Sequence, residues 1–593
     1  CSLYSPQLCW GLNGRSVTSS LLAHSDKISW RILMGKISLG INIGHDQGAA
    51  IVKDGKLLGA LSQERIDRIK HSASIRPPFV AIDALLRYTQ IKITDIDCVG
   101  FSSTAVHIDD LQTYICDALK EYYSLSNINI LSVSHHQAHA ESAYFTSDFS
   151  EAIVLVADGG GEMIGVEEEA ESVFYCHDAE VKLTEQRLQS NYFHALYRPH
   201  NYLYPFMNKQ QLHEQISLGK KYEQISNLLG FGKNGAGKTM GLSAYGTNLI
   251  NTKPSPIGSP LSFELEFQYI IKQYHDLYEQ SGENFFSFMT THKADIAKSV
   301  QDFTENQVLE LIKYIISKYK IRQICLAGGL FLNCPINHKI IETFPQVTIH
   351  ICPAAGDDGQ AIGAAFYAYR HIASNLTSSA SALPYLGFSY TNEQIEQALR
   401  DRNIFFHRYK DEEIAVIIAK KLWENEIIGL LHGRSEIGPR ALCHRSILAN
   451  PTNNDMKDYI NAKVKHRENF RPFAPVVASE KQFTYFSLLQ DSPYMLLAAQ
   501  VKKEYVSKLP AITHVDGSAR VQAVNQKNDP FVHRILIEFE RLSGFPILLN
   551  TSFNDCDEPI VETPDDAIQT FLTTEIDTLV MENYIISKKD MIQ

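Results

Sequence analysis

The chain has 593 residues, 44% of them hydrophobic and 21% charged, an ordinary composition for folded domains with sizeable cores. Its net charge of −12 disfavours nucleic acid or an anionic membrane as the main partner, and no apolar run reaches the length of a membrane helix. The ten cysteines are scattered without a Cys-x-x-Cys pair, which argues against a zinc-thiolate site or disulfide framework and for a reducing, cytoplasmic setting.

Residues 1–34 read as an extension outside the fold, because they lack the layout of a signal peptide and a clean strand pattern starts only after Met34. Truncation to Met34 is therefore expected to leave activity intact. Ile37 to Ile43 is a β-branched run ending at Gly44-His45-Asp46, and Ala49–Val52 and Leu57–Leu61 flank the hairpin signal Asp54-Gly55. The polar stretch Gln63 to His71 reads as helix. A strand, a small acidic loop and a hairpin is how actin-like and sugar-kinase-like ATP folds begin.

Past a strand at Ile128–Val133 comes His135-His136-Gln137-Ala138-His139, which on a helix turns His135 and His139 to one side, a metal-binding spacing. The buried-type strand Val154–Val156 runs into Asp158-Gly159-Gly160-Gly161-Glu162, and Ile349–Cys352 runs into Gly356-Asp357-Asp358-Gly359 ahead of an Ala-rich helix. A carboxylate at a strand end beside glycines suits a metal or a phosphate, although Asp357 or Asp358 could equally be a helix N-cap. Two imidazoles and two carboxylates suit Fe(II), or alternatively Mn(II), better than structural zinc. Between them, Ile324 to Gly329 is a strand opening on Gly328-Gly329, and Leu330 to Ile340 reads as a helix presenting Asn333 and Asn337 on one side. Backbone amides there can hold a nucleotide phosphate, or the turn can merely pack helix on sheet. Gly232 to Thr239 matches the P-loop pattern letter for letter, yet a polar helix (Lys220 to Leu229) precedes it where a P-loop needs a buried strand, so it reads as a decoy.

A small polar stretch with Pro384 separates two domains, 35–373 and 385–593, joined by a linker over 374–384. In the second, the strand Ile427–Leu431 feeds the loop Gly433 to Leu442, which carries Arg434 and Arg440 and is followed by Arg445, Lys465, Arg467 and Arg471. So many cations beside a Gly-Pro turn suggest a polyanion pocket, with Arg440, Lys465, Arg471 and Arg520 as phosphate ligands and Asn550 and Ser552 as neutral partners of a planar polar group. Thr563-Pro564 reads as the capped start of a helix.

Taken in order, His-His-x-x-His-Ala, Asp-Gly-x-Gly-Glu, Met-Gly-Leu-x-x-Tyr-Gly, Gly-Gly-x-x-x-Asn, Gly-Asp-x-Gly, Gly-Arg-x-Glu-x-Gly-Pro-Arg-Ala-Leu and Asn-Thr-Ser-Phe-Asn resemble the O-carbamoyltransferases of the NodU/CmcH type, from about Gly40 to about Ala567. The resemblance implies an α/β chain: an actin-like, TsaD-like first domain and a YrdC-like α/β second domain. It implies an enzyme that makes carbamoyl adenylate from carbamoyl phosphate and ATP with Mg2+, then carbamoylates a hydroxyl of a small natural product such as an antibiotic, toxin or oligosaccharide. It carries adenylate binding to Arg440, Lys465, Arg471, Arg520, Asn550 and Ser552, and an iron to His135, His139, Asp158 and Asp357, the last chosen because it directly follows Gly356. Gly159, Gly160, Gly328, Gly329 and Asn333 are the nucleotide candidates of the first domain, Lys465 and Arg520 are the catalytic cations, and His45 and Asp46 are candidate bases for the acceptor hydroxyl. Relatives of this type suggest at most a homodimer. Cys443 stands where the family usually has glycine, and a side chain there is expected to narrow the nucleotide loop. Acceptor selectivity is expected in loops such as Ser190 to Lys221. The competing readings are a tRNA threonylcarbamoyl-type transferase, disfavoured by the negative charge, and a non-catalytic actin-like ATP-binding protein, which leaves the second domain's cations unexplained.

Overall fold

The computed structural model describes residues 35–103, 111–165, 167–190, 216–250, 252, 264–373, 376 and 383–591. The proposed extension 1–34, most of the linker and most of the expected acceptor loop lie outside the described residues.

Strands β1 (Ile37–Ile43), β2 (Gly48–Lys53), β3 (Lys56–Ser62), β4 (Cys98–Ser103) and β5 (Ile130–Ser132) form a sheet in the order β3-β2-β1-β4-β5, with β1 antiparallel to β2 and parallel to β4. The pattern then repeats. In the second sheet β6 (Glu151–Ala157) pairs antiparallel with β8 (Glu167–His177), which also carries β7 (Met163–Ile164) and β9 (Glu180–Ser190). On its other side β6 runs parallel to β10 (Gln323–Ala327), and β10 to β11 (Thr348–Ile351). A hairpin followed by two parallel crossovers, made twice, is the duplicated architecture of the actin-like, sugar-kinase-like fold. β1 is buried along its whole length, as expected of a strand with structure on both faces.

Two helices, α1 (His135–Phe145) and α2 (Gln360–Arg370), pack on each other and on these sheets. The Ala- and Gly-rich sequence of α2 is what permits this. A Cβ on Gly40 would lie 2.0 Å from the Ala361 carbonyl oxygen, one on Gly100 2.1 Å from that of Ala364, and one on Gly363 1.8 Å from that of Ala138.

The C-terminal half is a mixed nine-stranded sheet: β12 (His407–Arg408), β13 (Ile428–Leu431), β14 (Arg445–Ala449), β15 (Ala474–Ala478), β16 (Leu497–Gln500), β17 (Ser518–Val524), β18 (Ile547–Ser552), β19 (Thr578–Met581) and β20 (Tyr584–Ser587). Their order is β12-β20-β19-β13-β14-β18-β15-β17-β16. Helices α3 (Asp411–Trp423) and α4 (Pro530–Ser543) pack on it through Ile414, Ile418, Leu422, Val532, Ile535 and Phe539. One apolar core runs from Ile153 and Leu326 in the first half to Leu431, Ile547 and Ile586 in the second. No helix among the described residues is long and apolar enough to cross a membrane.

Two expected helices come out differently. Gln63 to His71 gives only one turn, Glu64–Asp67, because Arg68 takes a left-handed conformation that ends it. Leu330 to Ile340 splits into a 3-10 turn, Gly329–Leu332, and a helix, Cys334–Thr343, whose start is set by the Asn333 cap and a proline in its first turn. The P-loop look-alike forms a helix, Ala236–Ser243, with the helix Leu218–Leu228 before it and no preceding strand.

Candidate active site

Ser134 opens α1 by accepting a hydrogen bond from the Gln137 amide, and the helical repeat brings His135 and His139 to one side. Asp158 leaves the end of β6 and Asp357 lies beyond β11, so two strand ends deliver carboxylates to one helix. His135 Nε2 is 3.1 Å from Asp158 and 3.2 Å from Asp357, and His139 Nε2 is 3.3 and 3.4 Å from the same carboxylates. These separations suit ligands of one first-row ion, whose bonds of roughly 2.0–2.2 Å place neighbouring ligand atoms about 3.0–3.4 Å apart. All four ligand atoms lie within 4.8 Å of one another, and the four residues are buried. Burial opposes charge on both imidazoles, but the facing carboxylates outweigh it and hold His135 and His139 above the ordinary histidine range. Burial likewise pushes the two carboxyls up, and the imidazoles more than reverse it. Buried paired donors of this kind fit a borderline divalent ion such as Fe(II) or Mn(II).

The surroundings hold these donors in place. The Gly329 amide donates to Asp158 Oδ1 at 2.9 Å, so this turn serves a carboxylate where a phosphate cradle was expected. Gln360 Nε2 donates to the His135 carbonyl, and Ser102 Oγ donates to Gln360. Asp357 is not a side-chain cap, since α2 starts at Gly359 without one. Its neighbour Asp358 differs in kind: burial, then Asp46, Glu64 and Asp357, push that carboxyl up to about 8. Burial and its acidic neighbours thus favour the neutral form of Asp358 over that of Asp357. His45 and Asp46 sit at the rim of this cluster. His45 Nε2 is 3.1 Å from Asp357 Oδ2, its Nδ1 is 3.0 Å from Asp46, and the other Asp46 oxygen is 2.7 Å from His71 Nδ1.

His71 and Glu64 also line a large cavity of about 1230 Å³ between the two halves. On its far wall stand Arg440, Lys465, Arg467, Arg471 and Arg520. Lys465 Nζ donates to four neutral oxygens, the carbonyl and hydroxyl of Ser552 and the carbonyl and side-chain oxygen of Asn554, at 2.6–3.3 Å. Burial, then Arg467 and Arg471, hold its amine well below the ordinary lysine range. Arg440 donates to the Leu332 carbonyl, and burial followed by Arg520 pushes it down to about 9. Both Arg440 Nε and Arg520 Nε are buried without a hydrogen-bond partner among the described residues. Among the described residues, Arg471 is the one cation of the five in an ion pair, with Glu468 at 3.8 Å, and Glu468 is shared with Lys238 at 2.8 Å. Clustered, largely desolvated and incompletely partnered cations call for an anion.

The structure sorts the other expected residues. Arg434 and Arg445 do not face the cavity. Arg434 donates to the carbonyls of Leu58, Leu386 and Gly387, and Arg445, fully buried, donates to those of Phe388, His432, Gly433 and Glu562. Both arginines stitch backbone because their loop is folded inward. Ser552 lines the cavity, whereas Asn550 lies behind its wall, donating to Gln522 and the Ala441 carbonyl. Gly159, Gly160, Gly328, Gly329 and Asn333 do not line the large cavity. Asn333 spends its amide on the helix cap and on a reciprocal pair with Gln301, and Gly328 has a φ of 98° with no room for a side chain against Ala157. Cys443 sits at φ 80°, the left-handed region where glycine is at ease, and its sulfur turns toward Asn550 and Gln522 rather than narrowing the cavity. Sequence reasoning did not single out His71 or Gln301. The signal for His71 is weak, a histidine in a polar turn, and only the fold brings it to Asp46.

A family model described as Carbamoyltransferase N-terminus matches residues 118–366, and one described as Carbamoyltransferase C-terminus matches residues 419–588. An uncharacterized protein of Synechocystis is 34% identical, covering 92% of this chain and 95% of its own length. The nodulation protein NolNO of Sinorhizobium fredii is 30% identical, covering 92% of this chain and 79% of its own. The nodulation protein U of Rhizobium tropici reaches 37% identity over 39% of this chain and 38% of its own. Among solved structures, full-length HypF in the phosphate- and nucleotide-bound form aligns with a TM-score of 0.40 at 16% identity, covering 58% of this chain and 56% of its own. With both halves matched in order and near-full-length relatives at this identity, the chain belongs to the carbamoyltransferase family and is an enzyme of that class.

Proposed function

We propose that the protein is an ATP-dependent O-carbamoyltransferase with two connected centres. The observation that carries this reading is the wall of five clustered cations, buried Lys465 with the partly buried Arg440, Arg467, Arg471 and Arg520, on a cavity that extends to His71, which is linked through Asp46 and His45 to the histidine–carboxylate cluster. ATP with Mg2+ and carbamoyl phosphate bind against this wall. Water hydrolyses carbamoyl phosphate to carbamate and inorganic phosphate. A carbamate oxygen attacks the α-phosphorus of ATP, and pyrophosphate leaves. Lys465 and Arg520 stabilise charge developing on the phosphates, and Arg440 and Arg471 orient them.

The product, carbamoyl adenylate, is a mixed anhydride that water destroys, so a cavity enclosed between two halves protects it. At the second centre a hydroxyl of a small-molecule acceptor attacks the carbamoyl carbon and AMP departs. The Asp46–His45 pair, with His45 Nδ1 on Asp46 and Nε2 3.1 Å from Asp357, is the candidate acceptor of the hydroxyl proton. His135, His139, Asp158 and Asp357 would hold Fe2+ or Mn2+, which supplies a Lewis acid to polarise the reacting group. Incubation with ATP, Mg2+ and carbamoyl phosphate should yield pyrophosphate and, by mass spectrometry, carbamoyl adenylate without any acceptor. If folded, metal-replete protein yields neither, the reading fails.

A further inference from the structure

A second group of ligand-type side chains lies in the C-terminal half, apart from both centres. His432 leaves β13, His444 precedes β14, and Asp529 caps α4. One nitrogen of each imidazole and one oxygen of Asp529 fall within 4.8 Å of one another. None of the three lines the large cavity. Asp529 divides its work: Oδ1 accepts from the Val532 amide at 3.0 Å, and Oδ2 faces His444 Nε2 at 3.3 Å.

Where the protons sit is decided by the neighbours. His444 Nδ1 is 2.5 Å from the Arg434 carbonyl oxygen, which can only accept, so Nδ1 carries the proton. On a neutral ring Nε2 then turns a lone pair toward Asp529 Oδ2, an oxygen that already accepts from Tyr385 Oη at 3.2 Å. Two buried electron-rich groups face each other, and a positive charge must lie on or between them. His432 Nδ1 lies 2.7 Å from Glu582 Oε2 without hydrogen-bond geometry, while the Gly433 amide holds Oε1 at 2.7 Å. An oxygen acceptor behind the imidazole, as at His444, is how metal-binding histidines are fixed in tautomer and orientation. The rings are also held by stacking, Tyr385 on His444 at 3.5 Å and 7°, and Phe531 on His432 at 4.0 Å. The 3.3 Å between His444 and Asp529 is close to the spacing of two ligands about 2.0–2.1 Å from one tetrahedral ion.

We propose that His432, His444 and Asp529 form a second metal site. Two imidazoles and one carboxylate are the donor set of zinc with water as its fourth ligand. The ion ties β13, α4 and the far end of the Gly433–Arg445 loop together, and so pins the loop that carries Arg440 into the cavity. The rival account of the same contacts is an imidazolium at His444 paired with Asp529 and no ion.

The full chain, stripped with chelator, is dialysed against zinc and its metal content measured. His432→Ala should hold one equivalent fewer than wild type, and His432→Asp, which restores a ligand, should recover it. His432 is partly exposed, so loss of fold is not expected on truncation. Equal zinc content in wild type and His432→Ala overturns the proposal in favour of the imidazolium pair. A second readout needs no variant: deuterium uptake across residues 433–445 of wild type should slow when zinc is added to stripped protein. Unchanged uptake there overturns the pinning.

Discussion

Lys465 carries the most specific residue-scale expectation. Its ammonium rests on four neutral oxygens on a wall shared with four arginines, a placement with little value except to receive an anion. Lys465→Ala should reduce pyrophosphate formation by about 10²–10³-fold, the usual cost of deleting one preorganised charge-stabilising donor, while metal content stays at the wild-type level. A variant that turns over normally removes Lys465 from the chemistry. Because burial and Arg467 hold its folded pKa low, an arriving polyanion must raise it. ATP affinity should therefore weaken with rising pH before an ordinary lysine would titrate. Calorimetric titrations across pH read this, and an affinity that holds up to the ordinary lysine range contradicts it. Asp358 titrates in the opposite sense. A carboxyl raised to about 8 in the folded protein stabilises the fold below its unfolded value and loses that contribution as pH climbs through about 8. In metal-free protein Asp358→Asn should melt above wild type at pH 9, with the gap closing toward roughly pH 4. A gap independent of pH would sink this assignment.

At the scale of elements, the geometry of the histidine pair depends on how closely α2 approaches α1. The contact at Gly363 has no space for a methyl group, since a Cβ there would stand 1.8 Å from the Ala138 carbonyl oxygen, one residue from His139. Gly363→Ala must push the helices apart. Overpacking of this kind costs about 1–3 kcal/mol, and here the displaced helix carries both imidazoles. The expected result is a lower melting temperature together with weakened Mn(II) binding, and wild-type binding by the variant would show that the helix adjusts without moving its histidines. This contact was only half legible beforehand. The Ala-rich helix was readable from its composition, but its partner was not, because close approach is a property of two segments more than two hundred residues apart.

For the whole molecule, the two halves close one cavity, and contacts at its rim hold them together. Arg68 of the first half donates to the Ile560 and Pro559 carbonyls at 2.7 and 2.9 Å, and Asp555 to Ile560 form part of the cavity wall. Arg68→Ala should free that segment and admit water. Pyrophosphate formation would persist while the yield of carbamoylated acceptor per pyrophosphate falls several-fold, as the adenylate is hydrolysed. Unaltered coupling would show that the strap is not needed to keep water out.

By itself the sequence determined the strands, the hairpin at Asp54-Gly55, the histidine helix and the chemistry of the donors, because side-chain periodicity, turn residues and ligand type are local properties. It also placed both carboxylates at strand ends, from which their convergence could be anticipated but not measured. Only the tertiary structure decided which of the loop's arginines meet solvent space. Arg440 points into the cavity, whereas Arg434 and Arg445, equally cationic and only a few residues away, are consumed by backbone carbonyls from Leu58 to Glu562. The same holds for Asn333 and the Gly329 amide, whose hydrogen bonds were taken by Gln301 and Asp158. A polar group's role depends on which partners reach it first, and those partners arrive from distant parts of the chain.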